Sequence, residues 1–223
     1  MFMLSIQNLN KEYPDKTVFH NYSVTIPKGV IISLNGINGI GKTTLLNILG
    51  GVTTFEGDIS MNGFDLKKDF LAYMEITSLV PNSPFLYEYL TVSEMIDMVN
   101  TMSKTNNKLI IQELFAKLKL SGFESVLIKN LSLGTRQKVA FIIAFIHYPK
   151  LILIDEPFVN FDRASLKNLL SFLQDYVKKN EAIIIFSTHT IDPDIQGIIT
   201  HKLEIMNEKR IIFNRKNESH VEI

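Results

Sequence analysis

One loop constrains the fold of this chain more than any other segment. The stretch GINGIGKTT (36–44) follows the β-branched run VIISLN and leads into the apolar stretch LLNIL. It matches the pattern G-x-x-x-x-G-K-[ST] through Gly36, Gly41, Lys42 and Thr43. A buried strand that enters such a loop and continues as a helix predicts a nucleotide-phosphate site, the alternative being a turn that merely starts a helix.

Each residue type in this loop has a physical role. Glycines let the backbone curl so that successive N–H groups face a phosphate, and the helix N-terminus adds partial positive charge. We expect Lys42 to reach the β- and γ-phosphates and the Thr43 hydroxyl to ligate Mg²⁺. The predicted ATP-binding residues of this segment are Asn38, Gly39, Gly41, Lys42, Thr43 and Thr44.

Two adjacent acids follow a second apolar strand, in LILIDEP (151–157). An aspartate at the carboxyl end of a parallel strand, beside a phosphate loop, can hold Mg²⁺, which is the role predicted for Asp155. Glu156 points elsewhere and is predicted to polarise the water that attacks the γ-phosphate. The alternative is that both acids only cap a helix after a core strand.

Composition limits the classes of protein and partner. The 223 residues hold 23 basic and 23 acidic side chains and no cysteine, so we predict no nucleic-acid partner and no disulfide. The longest apolar run, VAFIIAFI (139–146), is too short to span a bilayer, and the N-terminus lacks the basic region of a signal peptide. These features predict a soluble cytoplasmic protein that docks on a membrane only through a partner.

The order of patterns predicts an α/β fold. Period-two strand patterns fill the first third, helical periodicity runs from about 91 to 120, and a strand–helix alternation follows residue 130. We expect one domain over 1–223: a parallel core sheet of the P-loop NTPase type with an antiparallel β subdomain (1–80 and 131–223), and an inserted helical subdomain (81–130).

Taken in order, GINGIGKTT, LSLGT (131–135), LILIDEP and FSTH (186–189) resemble the motifs of the ATP-binding subunit of ATP-binding-cassette (ABC) transporters over essentially the full length. The resemblance implies a head-to-tail dimer in which Ser132 and Gly134 bind the γ-phosphate of ATP held by the other subunit. It also implies that Tyr13 stacks on adenine, that His189 senses the γ-phosphate, and that Asp162 lies in the loop that crosses the dimer interface.

Two departures from the family pattern alter these expectations. The signature L-S-G-G-Q of the family has Leu133 and Thr135 in place of a glycine and the glutamine. Asn82 stands where the family carries a glutamine that approaches Mg²⁺ and the attacking water. It has the same amide oxygen on a side chain one methylene shorter, so either the loop backbone comes closer or a water fills the gap.

The resemblance also implies partners. Phe85, Tyr87 and Tyr89 match the region that receives the membrane permease subunit, with packing in the core of the helical insert as the alternative. The implied function is ATP hydrolysis with Mg²⁺ in a homodimer or heterodimer, peripheral to the cytoplasmic face of the membrane. It drives transport, with export favoured because the sequence ends soon after its last predicted hairpin.

Two other functions are consistent with the same fold. One is a non-transport ABC-type ATPase acting on a soluble complex such as the ribosome, and the other is a binding module that has lost hydrolysis. The presence of the residues predicted to act in hydrolysis argues against a binding module that has lost hydrolysis; these residues are Lys42, Asp155, Glu156 and His189.

Overall fold

The structure is a computed structural model that describes residues 2–103, 107–156, 158, 161–188, 192–206 and 211–216. Its strands are β1 (Phe2–Tyr13), β2 (Lys16–Pro27), β3 (Val30–Asn35), β4 (Glu56–Met61), β5 (Phe64–Asp65), β6 (Thr77–Val80), β7 (Leu151–Ile154), β8 (Ile183–Ser187), β9 (His201–Ile205) and β10 (Ile211–Arg215). Its α-helices are α1 (Lys42–Leu49), α2 (Phe70–Glu75), α3 (Val92–Met102), α4 (Lys108–Lys117), α5 (Leu133–Phe145), α6 (Arg163–Asn180) and α7 (Pro193–Ile198).

Two sheets form the framework, in agreement with the predicted fold class. The larger sheet has the order β10-β9-β3-β8-β7-β6, and its neighbouring strands are parallel except for β9 and β10, which are antiparallel. The smaller sheet is antiparallel with the order β2-β1-β4-β5. The predictions of a parallel core with an antiparallel part are therefore confirmed.

The larger sheet is buried on both faces because its central strands β3, β8 and β7 are mostly apolar. In β8, Ile184 and Phe186 face a core shared with α3 to α6, whereas Ile183 and Ile185 face a core shared with α1 and the antiparallel sheet. This alternation follows from the period of two in a strand. The sheet is thus the middle layer of three.

The helical segment between β6 and β7 begins as predicted. Thr91 caps α3: its hydroxyl accepts from the Glu94 N–H at 3.2 Å, and the Glu94 carboxylate accepts from the Thr91 N–H at 2.8 Å. Both α3 and α4 pack into the same apolar core as α5 and α6. The segment therefore depends on the rest of the chain for burial, and its description as a subdomain remains a prediction.

Two helices were not predicted, α2 and α7. Each has only six residues, which are too few for the helical period to distinguish a helix from a loop. The start of α7 does carry a local pattern, since Asp192 accepts hydrogen bonds from the N–H groups of residues 194 and 195 and Pro193 follows it. Among the described residues, no helix is both long and apolar enough to cross a membrane.

Phe145 provides a test of the shared core. Its ring is fully buried and makes edge contacts with Phe172 at 5.1 Å and Tyr176 at 4.8 Å between centroids. We expect Phe145→Ala to lower the free energy of unfolding by about 3–5 kcal/mol in urea denaturation, because it leaves a cavity. The matched control is Phe85→Ala, which removes a ring that is 82% exposed and should change that free energy by about 0.5 kcal/mol or less. Equal losses for the two variants would contradict this account of the core.

Candidate functional site

The site lies at the carboxyl edge of the larger sheet, where three neighbouring strands end. The loop 36–44 follows β3, Asp155 and Glu156 follow β7, and Ser187 is the last residue of β8, which lies between them. Crevices at this edge of an open parallel sheet are where ligands bind. The geometry therefore brings together the phosphate loop and the acidic pair that the sequence predicts.

Close packing explains two glycines of the loop. A Cβ atom at Gly41, whose φ is +125°, would lie 2.5 Å from Val18 Cγ1. A Cβ atom at Gly36 would lie 2.9 Å from the carbonyl oxygen of Ile205. The loop therefore passes too near β2 and β9 for any side chain at these positions.

Lys42 begins α1 and folds back over the loop. Its side chain is 7% exposed, and Nζ donates to the carbonyl oxygens of Gly36 at 2.7 Å and Ile37 at 3.1 Å. Burial lowers the pKa of its ammonium, and the nearby carboxylates of Glu156 and Asp155 oppose that shift. The group is thus held across the loop in a position to contact an anion seated there.

Thr43 and Asp155 are in direct contact. Thr43 Oγ1 donates to Asp155 Oδ2 at 2.8 Å, which joins the start of α1 to the end of β7. The other carboxylate oxygen of Asp155, Oδ1, accepts from Ser187 Oγ at 2.6 Å. A hydroxyl and a carboxylate oxygen at this separation are hard donors of the kind that Mg²⁺ prefers.

Glu156 has an unusual backbone conformation. Its φ of +48° lies in the left-handed region, which costs a non-glycine residue about 1–3 kcal/mol. Its N–H donates to Ser187 Oγ at 2.9 Å, and its carboxylate lies 3.5 Å from Asn82 Nδ2. Strained residues of this kind cluster at functional sites.

Asn82 is itself held by the helix that follows the LSLGT turn. Its carbonyl oxygen accepts from Gln137 Nε2 at 3.3 Å, and Gln137 is a buried residue of α5. The Asn82 side chain therefore contacts the carboxylate of Glu156 while its backbone contacts α5.

A cavity of about 410 Å³ opens over the phosphate loop. It is lined by Tyr13, Lys16, Val18, Asn38, Gly39, Gly41, Lys42, Thr43, Thr44 and Glu156. Tyr13 is 45% exposed and carries the ammonium of Lys11 over its ring at 4.7 Å from the centroid. The aromatic face, the loop and the acid thus share one concave surface.

Sequence reasoning missed two residues of this surface, Lys16 and Val18, and also the buried Ser187, which contacts Asp155 and Glu156. The ammonium of Lys16 donates to the carbonyl oxygen of Gly39 in the phosphate loop. Lys16 pairs with Tyr13 across the two-residue turn between β1 and β2, so the turn signal at 14–15 could have placed it beside the predicted aromatic. Ser187 lies at the end of a strand beside the strand that carries the two acids. That position could likewise have indicated a polar contact with the acids.

The LSLGT turn forms a capped helix start. Ser132 Oγ accepts from the Thr135 N–H at 3.2 Å and lies 2.9 Å from Thr135 Oγ1. Ser132 and Leu133 are exposed, whereas Gly134 is buried. Ser132 and Gly134 are not among the described residues that line the cavity.

The described contacts of Asp162 are structural. Its carboxylate caps α6 by accepting from the Ser165 N–H at 2.9 Å, and it accepts from Lys138 Nζ at 2.6 Å. The hydrogen bonds from Lys138 and Ser165 hold the pKa of this carboxyl well below its usual range. His189, the predicted γ-phosphate sensor, lies outside the described residues.

The family model described as ABC transporter matches residues 19–159, which is more than half of the chain and includes the phosphate loop and both acids. This chain belongs to the ABC transporter family.

Individual relatives agree with that assignment. The lantibiotic transport ATP-binding protein SrtF of Streptococcus pyogenes is 32% identical over 83% of this chain and 80% of its own length. The tungstate uptake system ATP-binding protein TupC of Peptoclostridium acidaminophilum is 31% identical over 85% of this chain and 88% of its own length. A solved ATP-binding subunit of an ABC transporter superposes with a TM-score of 0.87, at 26% identity over 96% of this chain and 90% of that chain. The chain is an ABC transporter ATP-binding subunit, a class of ATPase.

Three aromatic side chains of this ABC subunit, in the segment that follows Asn82, face solvent. Phe85 and Tyr89 are about four-fifths exposed and Tyr87 about half, whereas Leu86 between them is buried. The alternative that these rings pack the core of the helical insert is therefore wrong. Phe85 and Tyr87 contact each other edge to face at 5.6 Å, so part of a solvent-exposed aromatic surface is preformed.

The position of Lys42 predicts the effect of removing it. We expect Lys42→Ala to weaken binding of a fluorescent ATP analogue by about 10- to 100-fold, because hydrogen bonds to charged groups contribute about 1.5–3 kcal/mol. The control is Lys28→Ala, since Lys28 precedes β3 at the opposite edge of the sheet and pairs with Glu181. An unchanged affinity in Lys42→Ala would contradict the placement of the phosphates at this loop.

Proposed function

We propose that this subunit hydrolyses ATP at the interface of a head-to-tail dimer and thereby drives a membrane permease. One observation carries the proposal. Lys42, Thr43 and Glu156 line one cavity, while the turn at Ser132, which is predicted to bind an anion, is exposed and is not among the described residues that line it. A second copy of the turn can complete the site that the cavity begins.

ATP would extend along the cavity from Tyr13 to the phosphate loop. The half-exposed ring of Tyr13 offers a face on which adenine stacks, with little discrimination between purines. Backbone N–H groups of the loop 36–44 and the start of α1 receive the phosphates. Lys42 then exchanges its contacts with backbone carbonyl oxygens for the β- and γ-phosphates.

The residues present fit a magnesium ion. Thr43 Oγ1 and Asp155 Oδ2 would hold it together with phosphate oxygens, and the bound ion neutralises charge on the phosphates. Among the described residues, no cluster of three or more acidic or histidine side chains could serve as a metal site. Asn82 is a further candidate ligand.

Glu156 is the proposed general base. A water that attacks the γ-phosphate must lose a proton, and Glu156, which lines the cavity, is proposed to accept it. The Asn82 amide contacts this carboxylate at 3.5 Å. His189, which follows β8 in the sequence, is proposed to contact the γ-phosphate.

The second copy would contribute Ser132 and Gly134. The exposed Ser132 hydroxyl and the N-terminus of α5 favour an anion. Leu133 is half exposed in this turn, so its side chain would lie in the dimer interface where the family signature has glycine. We propose that Asp162 stabilises the start of α6 near that interface through Lys138 and Ser165.

The transport role is proposed from the relatives and the aromatic surface. Phe85, Tyr87 and Tyr89 would anchor a permease subunit and hold this chain at the cytoplasmic face of the membrane. One of these relatives is named for lantibiotic transport and another for tungstate uptake, so the relatives do not decide the direction of transport. Export is favoured only by the expectation from the sequence. A non-transport role is not favoured, because the relatives described above are transport proteins.

Glu156→Gln tests the proposed hydrolysis. We expect turnover to fall by about 100- to 10,000-fold, the usual contribution of a general base, while ATP binding is retained. With Mg²⁺ and ATP, sedimentation velocity should then show an accumulated dimer. The control is Glu181→Gln on the exposed turn after α6. Wild-type turnover in Glu156→Gln would refute the role of this residue.

A further inference from the structure

Ser187 has no role in the account above, yet its hydroxyl lies between the two acids. The side chain is fully buried at the end of β8. Its Oγ donates to Asp155 Oδ1 at 2.6 Å and accepts from the Glu156 N–H at 2.9 Å. The only proton of the hydroxyl is therefore directed at Asp155, and a lone pair is used for Glu156.

The bond to Asp155 determines how its carboxylate is oriented. With Oδ1 held by Ser187, Oδ2 is the oxygen that contacts Thr43 at 2.8 Å. Loss of the Ser187 hydroxyl would remove one of the two described hydrogen bonds to this carboxylate and leave only that from Thr43. The Oδ2 atom would then be held less firmly towards the proposed metal site.

The bond to Glu156 acts on the backbone. The Asp155 N–H still continues the strand ladder, donating to the Val80 carbonyl oxygen at 2.9 Å. One residue later the chain leaves the ladder with a left-handed φ of +48°, and the Glu156 N–H turns to Ser187 instead. This hydrogen bond holds the turn that directs the Glu156 side chain.

Other buried serines lack this combination. Ser78 on β6 donates to the backbone carbonyl of Ala144 at 2.6 Å and lies 3.2 Å from His147, so its contacts serve packing between β6 and α5. We propose that Ser187 is a positioning residue that aligns Asp155 for metal binding and Glu156 for proton transfer. The inference rests on the proposed function, because it assumes those roles for the two acids.

The test compares Ser187→Ala with Ser78→Ala, which removes a buried hydroxyl from a neighbouring part of the sheet. Loss of a residue that orients a metal ligand usually costs about 10- to 100-fold in activity or metal affinity, and we expect a fall of that size in kcat for Ser187→Ala. The Mg²⁺ concentration for half-maximal activity should rise in the same variant. Ser78→Ala should keep the wild-type kcat and the wild-type Mg²⁺ concentration for half-maximal activity. Its melting temperature should be similar to that of Ser187→Ala.

A binding measurement separates this role from turnover. In the Glu156→Gln background, Ser187→Ala should leave the affinity for a fluorescent ATP analogue in EDTA unchanged and reduce the gain in affinity on adding Mg²⁺. If wild type binds the analogue but does not hydrolyse ATP, the proposed hydrolysis fails while this measurement still decides the role of Ser187 in metal binding.

Ser187→Thr and Ser187→Val provide a pair of equal shape that differs in the hydroxyl, and they decide the matter if Ser187→Ala does not fold. We expect the threonine variant to retain markedly more activity and Mg²⁺-dependent binding than the valine variant. Equal behaviour of the two, or a Ser187→Ala protein with wild-type kcat and Mg²⁺ dependence, would overturn the proposal.

Discussion

The site depends on the parallel pairing of β3, β8 and β7. In this register Leu34 lies opposite Ser187, and Ile154 lies opposite Phe186, so the three strands end together. A shift of one residue in either pairing would turn alternate side chains to the other face of a sheet that is buried on both. Burial of these strands therefore fixes the separation between the phosphate loop and the acidic pair.

A single chain holds the proposed reacting groups in an open cavity. The cavity over the loop is open to solvent, and the exposed turn at Ser132 begins a helix whose partial positive charge favours an anion. Gln137, four residues after Leu133 on that helix, contacts the backbone of Asn82, whose amide contacts Glu156. The turn that would meet the other copy's ATP is thus physically connected to the proposed base of its own copy.

The sequence was informative where chemistry follows from local spacing. The phosphate loop, the acids after β7 and the cap at Thr91 each occupy a few consecutive positions, so pattern alone placed them on the correct elements. Lys16, Val18 and Ser187 were missed because their contacts join segments that are distant in sequence, and the turn at 14–15 and the strand end at Ser187 gave only indirect signals for two of them. Exposure of Phe85 and its neighbours likewise depends on tertiary packing, which left two alternatives open until the structure excluded one.

The central claim is that one copy's phosphate loop and another copy's turn form a shared hydrolysis site. Mixing two inactive variants tests it directly: Lys42→Ala, which damages the loop, and Ser132→Arg, which blocks the turn. Each should be nearly inactive alone, and the mixture should regain part of the wild-type ATPase rate, because a mixed dimer contains one intact pair of loop and turn. A mixture no more active than its separate components, or full activity in Ser132→Arg alone, would contradict the account.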